Sequence, residues 1–307
     1  MKSAYLFPGQ GAQFVGMGRD LYENSWAARK IFEKSDKILG FSLSELCFHG
    51  PSEELTKTQN CQPAILTVSM AALAALRAED LALAPFYVAG LSLGEYSALV
   101  AAGIVSFEDA VYMVRKRGEF MDVAAQNNPG KMSCVLGLDQ DIVNSVCQSV
   151  GCEIANLNCP GQVVISGGVE NLEAAAQVLM SKGAKKVIPL EVSGAFHCSY
   201  MDEAAHQLRP EIDKIKFKES RFPLICNVDA LPHLDAKAIK DNLIKQVNSA
   251  TYWERSMRYL LSEGVHLFFE IGPGSVLRGL LKKIDKSVQV VSVGNWHEVL
   301  ESSKTGS

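Results

Sequence analysis

Short apolar runs alternate with longer stretches of helical periodicity from the first residues onward. AYLF (4–7) is followed by a long helical stretch, then by FYVAG (86–90) and the small-residue helix EYSALVAAG (95–103). Apolar runs of that length separated by helices predict an α/β fold with a largely parallel sheet. From about Gly130 to Val192 the order changes. It reads strand MSCVLGL, helix QDIVNSVCQSV, strand CEIANLN, turn CPGQ, strand VVISGG, helix VENLEAAAQVLMSKG and strand KKVIPLEV. That βαββαβ order is the ferredoxin-like plan. Because α/β patterning precedes and follows it, residues 129–192 read as a small domain inserted into a large one made of 1–128 and 193–307. A binding cleft between the two follows. Only the end, ESSKTGS (301–307), reads as a disordered tail.

Composition narrows the partners more than the fold. The 307 residues are 48% hydrophobic and 21% charged, with a net charge of -4, so no global field draws the chain to nucleic acid or to an anionic membrane. The eight cysteines form no Cys-x-x-Cys pair and sit mostly in apolar segments. They read as reduced thiols of a cytoplasmic or organellar stromal protein, neither a disulfide frame nor a metal site. In MKSAYLFPGQG the apolar stretch before the Pro-Gly break is too short for a signal peptide. The longest uncharged run, Thr58 to Leu76, contains Gln, Asn, Pro, Thr and Ser, and predicts a buried helix and not a membrane span.

The candidate chemistry begins at Gly90-Leu91-Ser92-Leu93-Gly94, a Gly-x-Ser-x-Gly motif between a strand pattern and a helix pattern. A sharp strand-to-helix turn lifts a serine hydroxyl out of the backbone, and the following helix aims free N–H groups at a developing oxyanion. A serine in a glycine-rich turn without chemistry is the alternative. The hydroxyl needs a base, and six histidines are available, at 49, 197, 206, 233, 266 and 297. His197 is the best placed, in a turn with Ser193 and Gly194 just after a strand, whereas His266 falls in an apolar strand pattern. The loop Phe7-Pro8-Gly9-Gln10-Gly11-Ala12-Gln13 follows the first strand and either completes an oxyanion hole or is a flexible turn; it lacks the Gly-Lys-Ser/Thr ending of a phosphate loop.

Ser106 to Asp109 forms a capping box that predicts a helix from Phe107 to about Ala125. Arg117 lies three or four residues from Met113, Val114, Phe120 and Met121, at the border of the apolar stripe. A guanidinium there calls for a carboxylate or phosphate partner; an internal salt bridge or a snorkelling side chain would also satisfy it.

Taken in order, FPGQGAQ, GLSLGEYSALVAAG, RKRGEFM, NCPGQVVISG, SGAFHCSYM and EIGPGSVLRGL resemble the malonyl-CoA:acyl carrier protein transacylase family from Tyr5 to about Leu281. The resemblance implies a hydrolase-like α/β core with a mostly parallel sheet plus the inserted ferredoxin-like domain. It also implies transfer of malonyl from malonyl-CoA to acyl carrier protein through a malonyl-serine, supplying fatty-acid synthesis, with coenzyme A thioester as substrate and no bound cofactor or metal. Carried over residue by residue, Ser92 is the nucleophile and His197 the base. The backbone N–H groups of Gln10 and Leu93 form the oxyanion hole, Arg117 binds the malonyl carboxylate, and the Gln246 carbonyl orients the histidine. Two positions depart from the family pattern: Leu91 stands where His is usual, and Cys198 where Ser or Thr is common. Ala195-Phe196-His197 fits the malonyl-selective members.

Two other classes compete. A serine esterase or thioesterase of α/β-hydrolase type would use the same elbow but needs an Asp or Glu between nucleophile and histidine, and none stands out in the sequence. A non-catalytic acyl-binding module would leave the joint presence of nucleophile, base and arginine unexplained. Lys182, Lys185 and Lys186 form a basic cluster, read as a solvated helix end in preference to a carrier contact.

Overall fold

The computed structural model describes residues 2–79 and 84–302. In chain order the strands are β1 (Ser3–Phe7), β2 (Tyr87–Gly90), β3 (Lys131–Leu136), β4 (Glu153–Cys159), β5 (Gln162–Gly167), β6 (Lys186–Pro189), β7 (Leu224–Ile225), β8 (Pro232–His233), β9 (Leu267–Ile271) and β10 (Gln289–Val293). Six of them form one sheet in the order β10-β9-β1-β2-β7-β8, parallel except for the β7–β8 pair. The other four form an antiparallel sheet, β4-β5-β3-β6.

Every residue of β1 is buried, as a central parallel strand covered on both faces requires. Its side chains alternate between two cores: Tyr5 and Phe7 join one, Ala4 and Leu6 the other. The expected buried helix is Thr58–Ala78, and it packs against helix Phe107–Asn127. A Cβ at Gly118 would crowd the Thr58–Gln59 backbone, so this glycine sets how closely the two helices approach. The stretch expected to be helical after β1 is broken into five helices, the last being Thr58–Ala78.

In the second sheet the period of two again divides the side chains. Val135, Val163 and Ile165 pack under helices Gln140–Val150 and Val169–Ser181, while Met132, Cys134 and Val164 face the large sheet's core. Strand β6 stops at Pro189, short of the expected Val192. The Leu190 N–H still donates to Met132 O, after which the chain leaves the sheet toward His197. The C-terminal end also differs from its expected disorder. Asn295 caps helix Trp296–Glu301 and Ser302 is buried; residues 303–307 lie outside the described residues. His266 lies exposed just before β9 and not within it. All eight cysteines are buried and free.

Candidate active site

Loops leave the carboxyl ends of the neighbouring strands β1 and β2 side by side, where parallel sheets present their ligand sites. The β2 loop turns sharply at Ser92, whose φ of 52° lies in the left-handed region that non-glycine residues rarely occupy. The turn closes because its flanking residues lack side chains: a Cβ on Gly90 would overlap the Gly94 backbone, and a Cβ on Gly94 would overlap the Phe7 carbonyl. Helix Gly94–Ala101 begins immediately, so its positive end faces the serine. From β1, Gly9 lies against the Leu91 carbonyl and near the Leu93 nitrogen, which sets the Gln10 loop beside the elbow. Among the described residues, the backbone N–H groups of Gln10 and Leu93 carry no hydrogen bond.

His197 also has a left-handed backbone, φ 58°, and is buried. Its Nε2 lies 2.8 Å from Ser92 Oγ, and its Nδ1 lies 2.8 Å from the Gln246 carbonyl oxygen. That carbonyl accepts from Nδ1–H, which leaves Nε2 free to take the serine proton. Among the described residues, no carboxylate meets the imidazole. Burial first, and the Arg117 charge second, push the His197 pKa down to about 4, against hydrogen bonds that the imidazole donates to the Gln246 and Ser249 backbone.

Arg117 is 1% exposed and forms no ion pair among the described residues. Neither the internal salt bridge nor the snorkelling position that its sequence setting allowed is present. Its Nη1 donates to Gln62 Oε1 (2.8 Å), and its Nη2 donates to Gln246 Oε1 (3.0 Å) and Ser92 Oγ (3.1 Å). The Tyr96 ring lies 5.6 Å from the guanidinium carbon. Burial lowers its pKa from the ordinary arginine value, against the pull of Tyr96 and of the buried Glu95 carboxyl; its direct partners are neutral amides, the Tyr96 ring and the serine. A buried cation beside Ser92 that makes no ion pair among the described residues can receive an anionic group.

These residues open onto a cavity of about 500 Å³ between the two sheets, lined by the Gln10 loop, Ser92, Arg117 and His197 on one side and by Met132, Cys134, Asn156 and Asn158 on the other. The structure thus brings Ser92, His197, Arg117 and Gln246 into one hydrogen-bonded group, with Gln10 and Leu93 beside the serine. The other five histidines take no part; His49, His233 and His297 pair with nearby carboxylates. Lys182, Lys185 and Lys186 are exposed. Among the described residues, no group of three or more His, Cys, Asp or Glu side chains is placed to hold a metal ion.

Three residues of the group were not visible in the sequence pattern: Gln62, Glu95 and Asn227. Gln62 was one polar residue in a long apolar helix, and Asn227 follows the two-residue strand β7. Asn227 Oδ1 accepts from the Ser92 N–H (2.6 Å), and its Nδ2 donates to Gly90 O (2.7 Å). Glu95, the one charge in an otherwise apolar and small-residue helix, was the readable signal. It is fully buried, its pKa pushed up to about 7 by burial, and it contacts Gln246 and Asn227 but not His197.

A half-buried serine paired with a buried histidine beside a buried cation is an arrangement suited to acyl transfer from an acidic acyl group, and the comparisons agree in class. Residues 4–298 match the family described as acyl transferase domain. The chain is 47% identical, over 96% of its length and 94% of the relative's, to the malonyl CoA-acyl carrier protein transacylase of Bacillus subtilis. It superposes with TM-score 0.95 and 39% identity on the acyl-carrier-protein S-malonyltransferase of Bartonella henselae, covering 99% of each chain. A malonyl-transacylase solved in complex with a type II polyketide-synthase acyl-carrier protein is equally similar, with TM-score 0.95 and 36% identity over 100% of both chains. The chain belongs to the malonyl CoA-acyl carrier protein transacylase family.

Proposed function

We propose that this protein takes the malonyl group of malonyl-CoA onto Ser92 and passes it to the phosphopantetheine thiol of acyl carrier protein, supplying fatty-acid synthesis. His197 Nε2 takes the Ser92 proton as Oγ attacks the thioester carbonyl. The oxyanion lies against the N–H groups of Gln10 and Leu93. Collapse breaks the C–S bond, and the departing coenzyme A sulfur takes the proton from His197. In the second half the carrier thiol gives its proton to His197 and attacks the ester; Ser92 leaves and recovers that proton. The Gln246 carbonyl holds the imidazole in the required tautomer throughout. The arms of coenzyme A and of the carrier enter the same cavity by turns, as a ping-pong exchange requires.

In this reading the parallel sheet is a hydrolase-like core formed by 1–128 and 193–307, and 129–192 is a ferredoxin-like insert that supplies the opposite cavity wall. The strand order β4-β5-β3-β6 supports that plan. The enzyme works in the cytoplasm or an organellar stroma, where free thiols persist.

The observation that carries the malonyl assignment is the Arg117 guanidinium, buried and 3.1 Å from the nucleophile with no protein anion on it. Intact-mass measurement after mixing with malonyl-CoA should show one malonyl increment on the Ser92 peptide, discharged by acyl carrier protein and absent in Ser92→Ala. An increment on Cys198, or on any other residue, refutes the assignment.

A further inference from the structure

The two residues that clamp the serine's backbone converge on a single buried oxygen, Gln246 through its side-chain amide and Asn227 through its backbone N–H. Gln246 Nε2 donates to Ser92 O (3.0 Å) and to Glu95 Oε2 (2.7 Å). Asn227, whose amide oxygen holds the Ser92 N–H, donates its own N–H to the same Glu95 Oε2 (3.1 Å). Gln246 further carries the carbonyl that orients His197 and the amide oxygen that receives Arg117. We propose that Glu95 is a positioning residue for acyl transfer, its Oε2 locking Gln246 and Asn227 so that Ser92, His197 and Arg117 share one register. The inference rests on the transfer reading above.

Other roles do not fit the geometry. Glu95 is not the acid of a triad, because the Gln246 carbonyl occupies His197 Nδ1. It does not face the cavity, since its side chain is wholly buried beneath the elbow. Nor does packing account for it. An apolar side chain of similar size would fill the volume without desolvating a carboxyl. What an apolar side chain could not do is accept two hydrogen bonds at one point. A serine held in a left-handed turn keeps its hydroxyl aimed only while both its N–H and its carbonyl are held, and Glu95 reaches both through one intermediary each.

Glu95→Leu and Glu95→Gln separate acceptor geometry from volume. Glu95→Leu should melt below the wild type, because the buried Gln246 and Asn227 donors lose their shared acceptor, and should load Ser92 with malonyl on the order of 10²-fold more slowly at saturation, the effect of a reacting group displaced by about 1 Å. Its half-saturating malonyl-CoA concentration should change much less than the rate, because the cavity and the Gln62 contact of Arg117 remain. Glu95→Gln keeps an oxygen in place and should recover most of the rate. A fluorophosphonate that labels serine without needing malonyl-CoA should show the same ranking. If Glu95→Leu does not fold, Glu95→Asp makes the comparison, since one methylene less draws the carboxyl away from both donors. A folded Leu or Asp variant loading at the wild-type rate overturns the proposal, as does a Gln variant as slow as either. Failure of the wild type to take malonyl on Ser92 would instead overturn the transfer reading.

Discussion

Replacing Arg117 by alanine tests the anion receptor directly. The guanidinium is out of water, so a malonyl carboxylate on it forms charge-assisted hydrogen bonds in a medium where they are strong. Removing one partner of such a buried pair costs about 3–5 kcal/mol. At about 1.4 kcal/mol per factor of ten, malonyl loading should fall on the order of 10²- to 10³-fold in kcat/KM. Acetyl-CoA brings no carboxylate, so its loading should hold or rise, and the malonyl-to-acetyl ratio falls by nearly the full factor. The fold should change little. The mutation leaves the amide oxygens of Gln62 and Gln246 without a donor, but it also removes a buried charge that no carboxylate offsets. Arg117→Lys should rescue only in part, because an ammonium cannot bridge Gln62, Gln246 and the substrate in one plane. The assay is single-turnover loading of Ser92 from each thioester, alongside a thermal melt. An unchanged ratio in a folded Arg117→Ala would show that the cation is structural and that the reasoning from its burial is wrong.

His197→Ala should slow acylation by about 10²–10⁴-fold. The base must be neutral, and its pKa is pushed down to about 4, so kcat/KM should stay flat as pH drops from 7 and fall only as pH passes below about 4; a limb centred near 6.5 in quenched-flow loading would contradict this. Gly94→Ala should disrupt the elbow, since its Cβ would overlap the Phe7 carbonyl and only a backbone shift can relieve it; a variant with wild-type melting and loading would show that the turn has slack.

Much of the site was legible because its signals are local. The elbow needs small residues on both sides of Ser92, and those glycines are adjacent in the chain. The Ser106 cap, which accepts from the Asp109 N–H, marks the start of the helix carrying Arg117. Gln62 and Asn227 carried no such local mark, and Glu95 only that of being the one charge in a small-residue helix. Their roles come from pairs 55, 151 and 135 residues apart, Gln62–Arg117, Glu95–Gln246 and Asn227–Ser92.

By itself, then, the sequence determined the alternation of strand and helix, the buried faces, the turn at Ser92 and the family pattern that ties His197 and Arg117 to it. The first three follow from steric and periodic rules that act within a few residues, and the last from the resemblance alone. Only the tertiary structure decided that Arg117 makes no ion pair among the described residues and that one Glu95 oxygen gathers the clamps on Ser92. Such pairings depend on which buried donors and acceptors meet when distant elements pack, because each must find a partner once water is excluded.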